Sequence, residues 1–485
     1  MKKMLINAKF PEEVRVAVVE DGLLTEFHME SPLKEQLKGN IYKARIAKVE
    51  HGLNAVFVDF GRERHGLLPV SDINAAFVSG LNGRKPDLKD LRPGMDLLVQ
   101  VVREEKGSKG ALLTAEISLP GRFVVLLPRQ DMSGVSRRIE DASLRSRLRE
   151  IVAQIKPPEG MGVIVRTAGM DRTKTELSRD LSFLLRLWAK IEDGFDSAPC
   201  PSLVYHEGDV VIRTIRDYLT ADTGEILVDD EETMDRILGY METFMPRQKG
   251  IVKAYRQARP LFAKYELERQ IESIFDKTVQ LRSGGSIVIE STEAMVTIDV
   301  NSGQAKGTRN IEQTALETNL EAAQEIARQL VLRDLGGLVA IDFIDMKSRE
   351  NVKAVEKALR EALKKDKAHV VVGRISKLGI LELSRERLSP PLMEKSHVAC
   401  PVCSGNGLVR SVESSAMAAL RQIQSSLSRS RAPRVDVTLS PEVAMHLVNE
   451  CRRHIDALES EFKTRIHLKV DEGVGRPFCA VTHAE

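Results

Sequence analysis

The chain has 485 residues, with 72 Lys or Arg against 70 Asp or Glu, a formal net charge of +2. Apolar residues make up 42% and charged residues 29%, which excludes a disordered or collagen-like protein, and the length predicts about three domains. The near-neutral charge excludes a generally basic nucleic-acid binder, so a nucleic-acid partner would have to be bound by local patches.

The N-terminal segment is not typical of a secretion signal. Its apolar run, residues 4–6, is too short for one, and no stretch of the chain approaches the ~18 apolar residues of a membrane helix. The cysteine count of 5 is odd, which favours a reducing cytosol over a disulfide framework. We therefore expect a cytoplasmic protein with no membrane partner.

Alternating patterns dominate the first part of the chain. Residues 14–30 alternate apolar and polar around Asp21-Gly22, which predicts a β-hairpin. Residues 39–118 contain short strand-like runs punctuated by glycine, which predicts a small barrel.

One aromatic residue of this barrel breaks the apolar pattern. Val56, Val58 and Phe60 alternate with Phe57, so Phe57 is expected to face away from them. An exposed aromatic ring beside a basic residue such as Lys43 is suited to single-stranded RNA, because bases stack on the ring and phosphates pair with the cation. The alternative is that Phe57 belongs to the core and the basic residues form a solvated face.

Two acidic residues lie in neighbouring predicted strands. The segment 284–304 predicts two strands, the second with Asp299, and an apolar strand over 336–346 contains Asp342. A helix over 310–331 separates them, so a right-handed crossover with two parallel strands is predicted. Asp299 and Asp342 could then meet at adjacent strand ends.

Two close carboxylates repel each other unless a cation or proton lies between them. Oxygen ligands without histidine favour Mg²⁺ or Mn²⁺ over Zn²⁺, and Asn301, on the same strand face as Asp299, would add a donor to a phosphate. The alternative is that Asp342 is a buried acid paired with an arginine such as Arg333. Asp345 is expected to be structural, because three residues along a strand it faces the other way.

Cys400-Pro-Val-Cys403, followed by glycines, predicts a zinc-binding turn. Two thiolates are half of a tetrahedral set, which either Cys451 and Cys479 or a second chain would complete. We favour one zinc shared by two chains, and hence a symmetric dimer or larger assembly. A redox pair is disfavoured because no thioredoxin-like βαβ pattern is evident.

Several strings resemble the RNase E/G family of bacterial endoribonucleases. They include GNIYKARI, AVFVDFG and GLLP within residues 37–118, a stretch that resembles an S1 RNA-binding domain, then EGMGVIVRTAG, IDVNSG, GGLVAIDFIDM and HVACPVCSGNG. The resemblance covers about residues 1–410 and is weaker beyond.

The resemblance implies an α/β multidomain fold. The implied parts are an RNase H-like subdomain (1–36 and 214–278), an inserted S1 (OB-type) barrel (37–118) and 5′ sensor (119–213), a DNase I-like catalytic subdomain (279–398), a zinc link (399–410), a linker (411–434) and a small C-terminal α+β domain (435–485).

The resemblance also implies site residues. The implied roles are Mg²⁺ ligands for Asp299 and Asp342, a phosphate contact for Asn301, a zinc link between protomers for Cys400 and Cys403, RNA contacts for Phe57 and Lys109, and a 5′-monophosphate pocket for Arg166, Thr167 and Val125. Two positions depart from the family pattern: Leu67 replaces a second aromatic of the barrel, and His369 replaces an arginine. Any RNA contact made by His369 would depend on pH.

The leading hypothesis is a Mg²⁺-dependent endoribonuclease that also binds Zn²⁺. It would cleave single-stranded A/U-rich RNA, prefer 5′-monophosphorylated ends, and act in rRNA 5′-end processing and mRNA turnover. The long scaffold tail found in part of the family is not expected, and with it no degradosome partner. The alternative is a non-catalytic S1-domain RNA-binding or ribosome-associated protein.

Overall fold

The computed structural model describes residues 1–30, 37–78, 87–105, 110–139, 141–208, 210–303, 311–388, 391–403, 405–429, 432–476 and 478–484. The chain divides into two compact units, Met1–Lys395 and Ser396–Glu485. No helix among these residues is both long enough and apolar enough to cross a bilayer.

Mixed α/β structure fills both units. The strands are β1 Lys2–Asn7, β2 Val14–Glu20, β3 Leu23–Glu30, β4 Ile41–Glu50, β5 Ala55–Asp59, β6 Gly66–Pro69, β7 Asp96–Arg103, β8 Leu112–Thr114, β9 Leu119–Pro120, β10 Val124–Leu127, β11 Gly134–Val135, β12 Gly162–Val165, β13 Ser202–Tyr205, β14 Thr223–Val228, β15 Val252–Ala254, β16 Thr278–Gln280, β17 Ser286–Ser291, β18 Met295–Asn301, β19 Gly337–Asp342, β20 Val370–Ile375, β21 Ile380–Arg385, β22 Arg434–Leu439, β23 Arg465–Val470 and β24 Cys479–Ala484. The helices are α1 Ala142–Ile155, α2 Lys174–Ser197, α3 Val210–Tyr218, α4 Glu231–Phe244, α5 Leu261–Lys264, α6 Glu268–Glu272, α7 Ile311–Leu332, α8 Arg349–Leu363, α9 Leu392–Ser396, α10 Val412–Arg429, α11 Pro441–Asn449 and α12 Arg452–Phe462.

A five-stranded sheet with the order β15-β14-β1-β2-β3 joins the N-terminal segment to residues 223–254. Strand β1 is antiparallel to β2 and parallel to β14. The predicted hairpin is confirmed: β2 and β3 pair around Asp21 and Gly22, whose φ angles of +50° and +82° favour a tight hairpin turn.

A closed barrel follows, as predicted. Strands β4, β5, β6, β8 and β7 pair in that order, and β4 also pairs with β7, which closes the sheet on itself. The arrangement is OB-like, and Val56, Val58 and Phe60 are buried inside it. The predicted small barrel is therefore confirmed.

Residues 119–197 form a smaller α/β layer. Its sheet has the order β11-β12-β10-β9, and helix α2 packs on it through apolar residues that include Trp188, which is buried. A capping box of Thr173 and Glu176 begins α2, because each side chain accepts from a backbone N–H of the first turn. This layer places residues 121–125 and 166–167 side by side.

A six-stranded sheet, order β16-β17-β18-β19-β21-β20, completes the first unit. Helix α7 connects β18 to β19, which run parallel, so the predicted crossover is confirmed. Alternate strand residues such as Ile298 and Ile341 pack against α7 and α8, which leaves the other face of β18 and β19 accessible.

The second unit corrects one expectation. The Ser- and Arg-rich segment 411–434, expected to be a linker, contains the 18-residue helix α10. Its buried residues recur at helical spacing: Ala416, Ala419, Leu420, Ile423 and Leu427. They pack against a sheet in which β22 is parallel to β23 and antiparallel to β24, with α11 and α12 between the parallel strands.

Candidate active site and RNA-binding surfaces

Asp299 and Asp342 lie directly opposite each other at the ends of two parallel strands. They are register partners in β18 and β19, so their side chains leave the same face of the sheet from backbones about 5 Å apart. Both are exposed, whereas their neighbours Ile298 and Ile341 are buried. The sequence therefore predicted this convergence correctly.

Side-chain amides bond the Asp299 carboxylate and the backbone that follows Asp342. The amide Nδ2 of Asn301 donates to Asp299 Oδ2 at 2.7 Å. Asn319, fully buried in α7, holds the backbone just after Asp342, because its amide bonds both the N–H and the carbonyl of Ile344 at 3.0 and 2.8 Å. Asn319 was not predicted from the sequence, although an amide within an apolar helix face was the available signal.

Asp345 also lies near this edge, contrary to expectation. Strand β19 ends at Asp342, so the alternation of strand faces does not extend to Asp345. A Cβ atom at Gly379, whose φ is +83°, would lie 3.8 Å from Asp342 Oδ1 and 3.4 Å from Asp345 Oδ1. Both carboxylates therefore border the turn between β20 and β21.

The expected alternative, an arginine partner for Asp342, is not observed in the described part of the chain. Arg333 instead donates to Gln329 and to the carbonyl of Ser273, at 2.7 and 3.2 Å. The described residues contain no group of three or more His, Cys, Asp or Glu side chains placed to hold a metal ion. Two exposed carboxylates with few other protein ligands suit Mg²⁺, which usually retains several waters.

Phe57 presents its ring on the outer surface of the barrel. It is half-buried, and its cross-strand neighbours are Lys48 in β4 and Leu67 in β6. A bulge between Ile46 and Lys48 shifts the alternation of β4 and brings Lys48, which is exposed, onto the face of Phe57. Phe57 is thus outside the barrel core, as the alternation predicted, and Leu67 lies beside it. Its contact with RNA stays a prediction.

Lys43, the predicted cationic RNA contact of the barrel, is engaged within the protein. The ammonium of Lys43 donates to the carbonyl of Ala198 at 2.9 Å and lies 5.2 Å from the ring centre of Phe195. Lys43 therefore holds the end of α2 against the barrel instead of pointing freely into solvent. Lys109 lies outside the described residues.

Val125, Arg166 and Thr167 line one cavity of about 980 Å³. Arg166 follows β12, and its guanidinium donates to the Gly121 carbonyl at 2.6 Å and to Asp217 Oδ1 at 2.7 Å. Burial alone would raise the pKa of Asp217, but Arg216 and Arg166 hold it well below its usual range. The described residues accept two of the five N–H groups of Arg166.

A buried carboxylate shapes the wall of this cavity. Asp180 in α2 accepts the consecutive backbone N–H groups of Arg122, Phe123 and Val124 at 3.2, 2.7 and 3.0 Å. Burial raises the pKa of Asp180, and these three bonds oppose that rise. Asp180 was not predicted from the sequence, since a single acid in an amphipathic helix gives no signal of its own.

His369 is exposed and does not line the cavity, whereas Lys367, two residues earlier, does. The ammonium of Lys367 donates to the Asp217 carbonyl and lies 2.8 Å from the ring centre of Tyr218. An RNA contact by His369, with the pH dependence that it would have, stays a prediction.

In the second unit, Cys400 and Cys403 form a tight turn. Backbone N–H groups of Cys403 and Val402 point at the Cys400 sulfur and lower its pKa. Gly405 and Gly407 have φ angles of +88° and +73°, which glycine adopts without strain. Cys451 and Cys479, by contrast, pack in or against the apolar core of this unit, and burial raises the pKa of each thiol.

A chain that combines an OB-like barrel with a sheet edge carrying paired carboxylates is suited to be an enzyme of nucleic-acid metabolism. Residues 118–388 match the model of the ribonuclease E/G family, and residues 399–484 match a model described as the RNase E/G thioredoxin-like domain. The chain belongs to the ribonuclease E/G family, a family of endoribonucleases. The reason for disfavouring a redox cysteine pair was therefore wrong, because a thioredoxin-like domain does include this region.

Curated relatives extend over most of the chain. Ribonuclease E of Escherichia coli (strain K12) is 46% identical over 95% of this chain and 44% of its own length. Ribonuclease E of Haemophilus influenzae is 44% identical, over 99% and 52% respectively. Ribonuclease G of Escherichia coli (strain K12) is 36% identical over 97% of both chains. The alignment thus covers nearly all of ribonuclease G, whereas the chain spans about half the length of the ribonuclease E relatives.

Proposed function

We propose that this protein is a Mg²⁺-dependent endoribonuclease that cleaves single-stranded, A/U-rich RNA and leaves 5′-phosphate and 3′-hydroxyl ends. The observation that supports this proposal most is the register of β18 and β19, which sets Asp299 opposite Asp342 on an accessible face. A protein that only binds RNA has no need for two adjacent carboxylates, which repel phosphate unless a cation lies between them.

Asp299 and Asp342 would hold Mg²⁺ or Mn²⁺ between them. Such an ion supplies an activated water and neutralises charge on a phosphoryl oxygen. Asn301 orients the Asp299 carboxylate through its amide and provides a neutral donor near the phosphate. The buried amide of Asn319 keeps the backbone after Asp342 in place.

The barrel would bind the RNA chain upstream or downstream of the cleaved bond. Phe57 offers a ring for base stacking, and Lys48, which lies across from it, offers a cation for the backbone. Lys109 stays a predicted contact, whereas Lys43 would act mainly by fixing α2 against the barrel.

The cavity beside β10 and β12 would bind the 5′ end of the substrate. Arg166 and Thr167 supply N–H and hydroxyl donors, and Val125 supplies an apolar wall. A terminal monophosphate is favoured because it presents more acceptor oxygens and more charge than a 5′-hydroxyl. We therefore infer a preference for 5′-monophosphorylated RNA, as in rRNA 5′-end processing and mRNA turnover.

We further infer that the five-stranded sheet is an RNase H-like subdomain and that the six-stranded sheet is a DNase I-like catalytic subdomain. The order β3-β2-β1-β14-β15, an antiparallel meander continued by two parallel strands, supports the first assignment. The barrel and the 5′-end layer are then insertions between β3 and β14.

Cys400 and Cys403 would bind Zn²⁺ together with the same pair from a second chain. The lowered pKa of the Cys400 thiol favours the thiolate that zinc requires. Because two thiolates make half of a tetrahedral set, a shared zinc implies a homo-oligomer.

The function can be tested with one oligoribonucleotide prepared with either a 5′-monophosphate or a 5′-hydroxyl. With Mg²⁺, we expect internal cleavage of both forms and faster cleavage of the monophosphorylated form, and with EDTA we expect neither form to be cut. Binding without cleavage under every condition would instead support the non-catalytic S1-domain alternative.

A further inference from the structure

Helix α3 ends where cationic side chains from three parts of the first unit meet. Residues 216–219, here called the α3 end, are the last three residues of this helix and the residue after it. Three side chains reach it: Arg122, which donates to the carbonyls of Arg216 and Leu219; Arg166, which donates to the Asp217 carboxylate; and Lys367, which donates to the Asp217 carbonyl.

Capping alone does not account for this convergence. The last carbonyls of a helix lack partners within the helix and carry partial negative charge, so one cation there is stabilising. Arg122 already satisfies two of these carbonyls. Lys367 is different in origin, because it comes from the segment between α8 and β20 of the carboxylate-bearing sheet.

Two contacts fix Lys367 in position. Its ammonium donates to the Asp217 carbonyl and lies over the Tyr218 ring, 2.8 Å from the ring centre. That ring in turn contacts the His28 ring of β3, with the centroids 4.5 Å apart. Lys367 is therefore held between the α3 end and the five-stranded sheet.

Lys367 is connected to the paired carboxylates through three neighbouring strands, β20, β21 and β19. Strand β20 begins three residues after Lys367 and pairs with β21. Strand β21 pairs with β19, where Ile380 is the register partner of Asp342. The turn between β20 and β21 contains Gly379, which borders the carboxylates of Asp342 and Asp345.

Asp217 connects Lys367 to the cavity lined by Val125, Arg166 and Thr167, here called the 5′-end cavity. Asp217 bonds Lys367 through its carbonyl and Arg166 through its carboxylate, so one residue joins the two cations. A phosphate bound to Arg166 would compete with that carboxylate for the guanidinium. The resulting movement of Asp217 would shift Lys367, because the Lys367 ammonium is bonded to the Asp217 carbonyl.

We propose that Lys367 is a positioning residue that links the 5′-end cavity, through Asp217, to the sheet edge carrying Asp299 and Asp342. This inference rests on the proposed 5′-end preference. Lys367 lines the same cavity, but its ammonium is bonded to the Asp217 carbonyl. We therefore infer that it acts through Asp217, and that it transmits occupancy of the cavity to the cleavage rate.

The test compares kcat and KM on the 5′-monophosphate and 5′-hydroxyl forms of one oligoribonucleotide. Lys367→Met keeps the length of the side chain and removes its donor, Lys367→Arg restores a donor, and Lys365→Met, at an exposed lysine nearby, is the matched control. Each is also made with Arg166→Ala, and melting temperature reports folding.

In Lys367→Met we expect kcat on the monophosphorylated substrate to fall about fivefold or more, toward the 5′-hydroxyl value, with KM unchanged. Cleavage of the 5′-hydroxyl form should not change, Lys367→Arg should recover the preference, and Lys365→Met should behave as the unaltered protein. With Arg166→Ala present, Lys367→Met should have no further effect, because both act on one pathway.

Several outcomes would overturn the inference. They are a full preference in Lys367→Met, a rise in KM instead of a fall in kcat, or equal losses on both substrates that Lys367→Arg does not correct. If Lys367→Met fails to fold, Lys367→Leu, which also removes the donor, is held to the same criteria. No 5′-end preference in the unaltered protein would instead contradict the proposed function itself, and the inference with it.

Discussion

Leu67 faces Phe57 across the outer surface of the barrel, at the position where a second aromatic ring would double the stacking surface. Leu67→Phe should raise the affinity for a single-stranded oligoribonucleotide about fivefold, because stacking of a base on an aromatic ring contributes roughly 1 kcal/mol or more. Fluorescence anisotropy gives Kd directly.

Leu203→Phe is the control for this change, since Leu203 is an exposed leucine of β13, which pairs with the same barrel. An unchanged Kd in Leu67→Phe, or an equal gain in Leu203→Phe, would show that the face around Phe57 does not stack bases.

Glu26 lines the same cavity as Arg166, and its ionisation should affect the stability of the protein. Burial raises the pKa of Glu26 to about 7, and Lys367 partly opposes this rise, while burial lowers the pKa of Lys367 to about 7. A carboxyl whose pKa is higher folded than unfolded stabilises the protein at low pH and loses that contribution as the pH rises through 7.

We therefore expect Glu26→Gln to raise the free energy of unfolding by about 2 kcal/mol at pH 8 and to change it little at pH 5. Urea unfolding followed by circular dichroism at both pH values measures the difference. A gain that is the same at pH 5 and pH 8 would contradict the raised pKa.

At the scale of elements, helix α2 fixes the wall of the 5′-end cavity through Asp180. One carboxylate satisfies three consecutive backbone N–H groups, from Arg122 to Val124. Asp180→Asn turns an amide N–H₂ toward these donors, so we expect a loss of about 2 kcal/mol in stability and a weaker 5′-monophosphate preference.

Asp193→Asn, at an exposed position of the same helix, is the control and should change neither quantity. If Asp180→Asn keeps both full stability and full preference, the three hydrogen bonds do not support the cavity.

The sequence predicted those elements whose local pattern agrees with their tertiary setting. The crossover from β18 to β19 follows from apolar strands flanking an amphipathic helix, and it brought Asp299 to Asp342 correctly. Local irregularities were not predictable in this way. The bulge after Ile46 places Lys48 beside Phe57, and it leaves no trace in the residue types.

Composition misled the prediction at α10, and strand length misled it at Asp345. The serines and arginines of α10 lie mostly on its exposed face, while apolar residues recur at helical spacing on the other. Asp345 lies beyond the end of β19, where the alternation of faces no longer applies. Both errors concern where an element begins or ends, and tertiary packing sets that boundary.

For the whole molecule, a net charge of +2 means that RNA affinity must come from separate small sites. The barrel face, the 5′-end cavity and the carboxylate edge would each contribute modestly. Linking protomers through zinc would raise the effective affinity, because a second contact with the same RNA becomes intramolecular.

Cys400→Ser combined with Cys403→Ser should therefore abolish bound zinc and lower the oligomer mass, since the shared ligands are lost. Metal analysis and light scattering measure both. Cys479→Ser, which removes a thiol packed against the core of the same unit, should keep zinc and mass. An unchanged mass in the double variant would exclude a zinc shared between chains.

The most direct test of a catalytic centre at the β18–β19 edge measures RNA cleavage by Asp299→Asn and Asp342→Asn. RNA binding is measured on the same preparations. Glu382→Gln, at an exposed acid on β21, is the control. Each asparagine keeps the shape of the side chain and removes the charge that holds Mg²⁺. We predict a loss of cleavage of about a hundredfold or more with an unchanged Kd for RNA, and full activity in Glu382→Gln. Wild-type cleavage by either Asp299→Asn or Asp342→Asn would contradict a catalytic centre at this sheet edge.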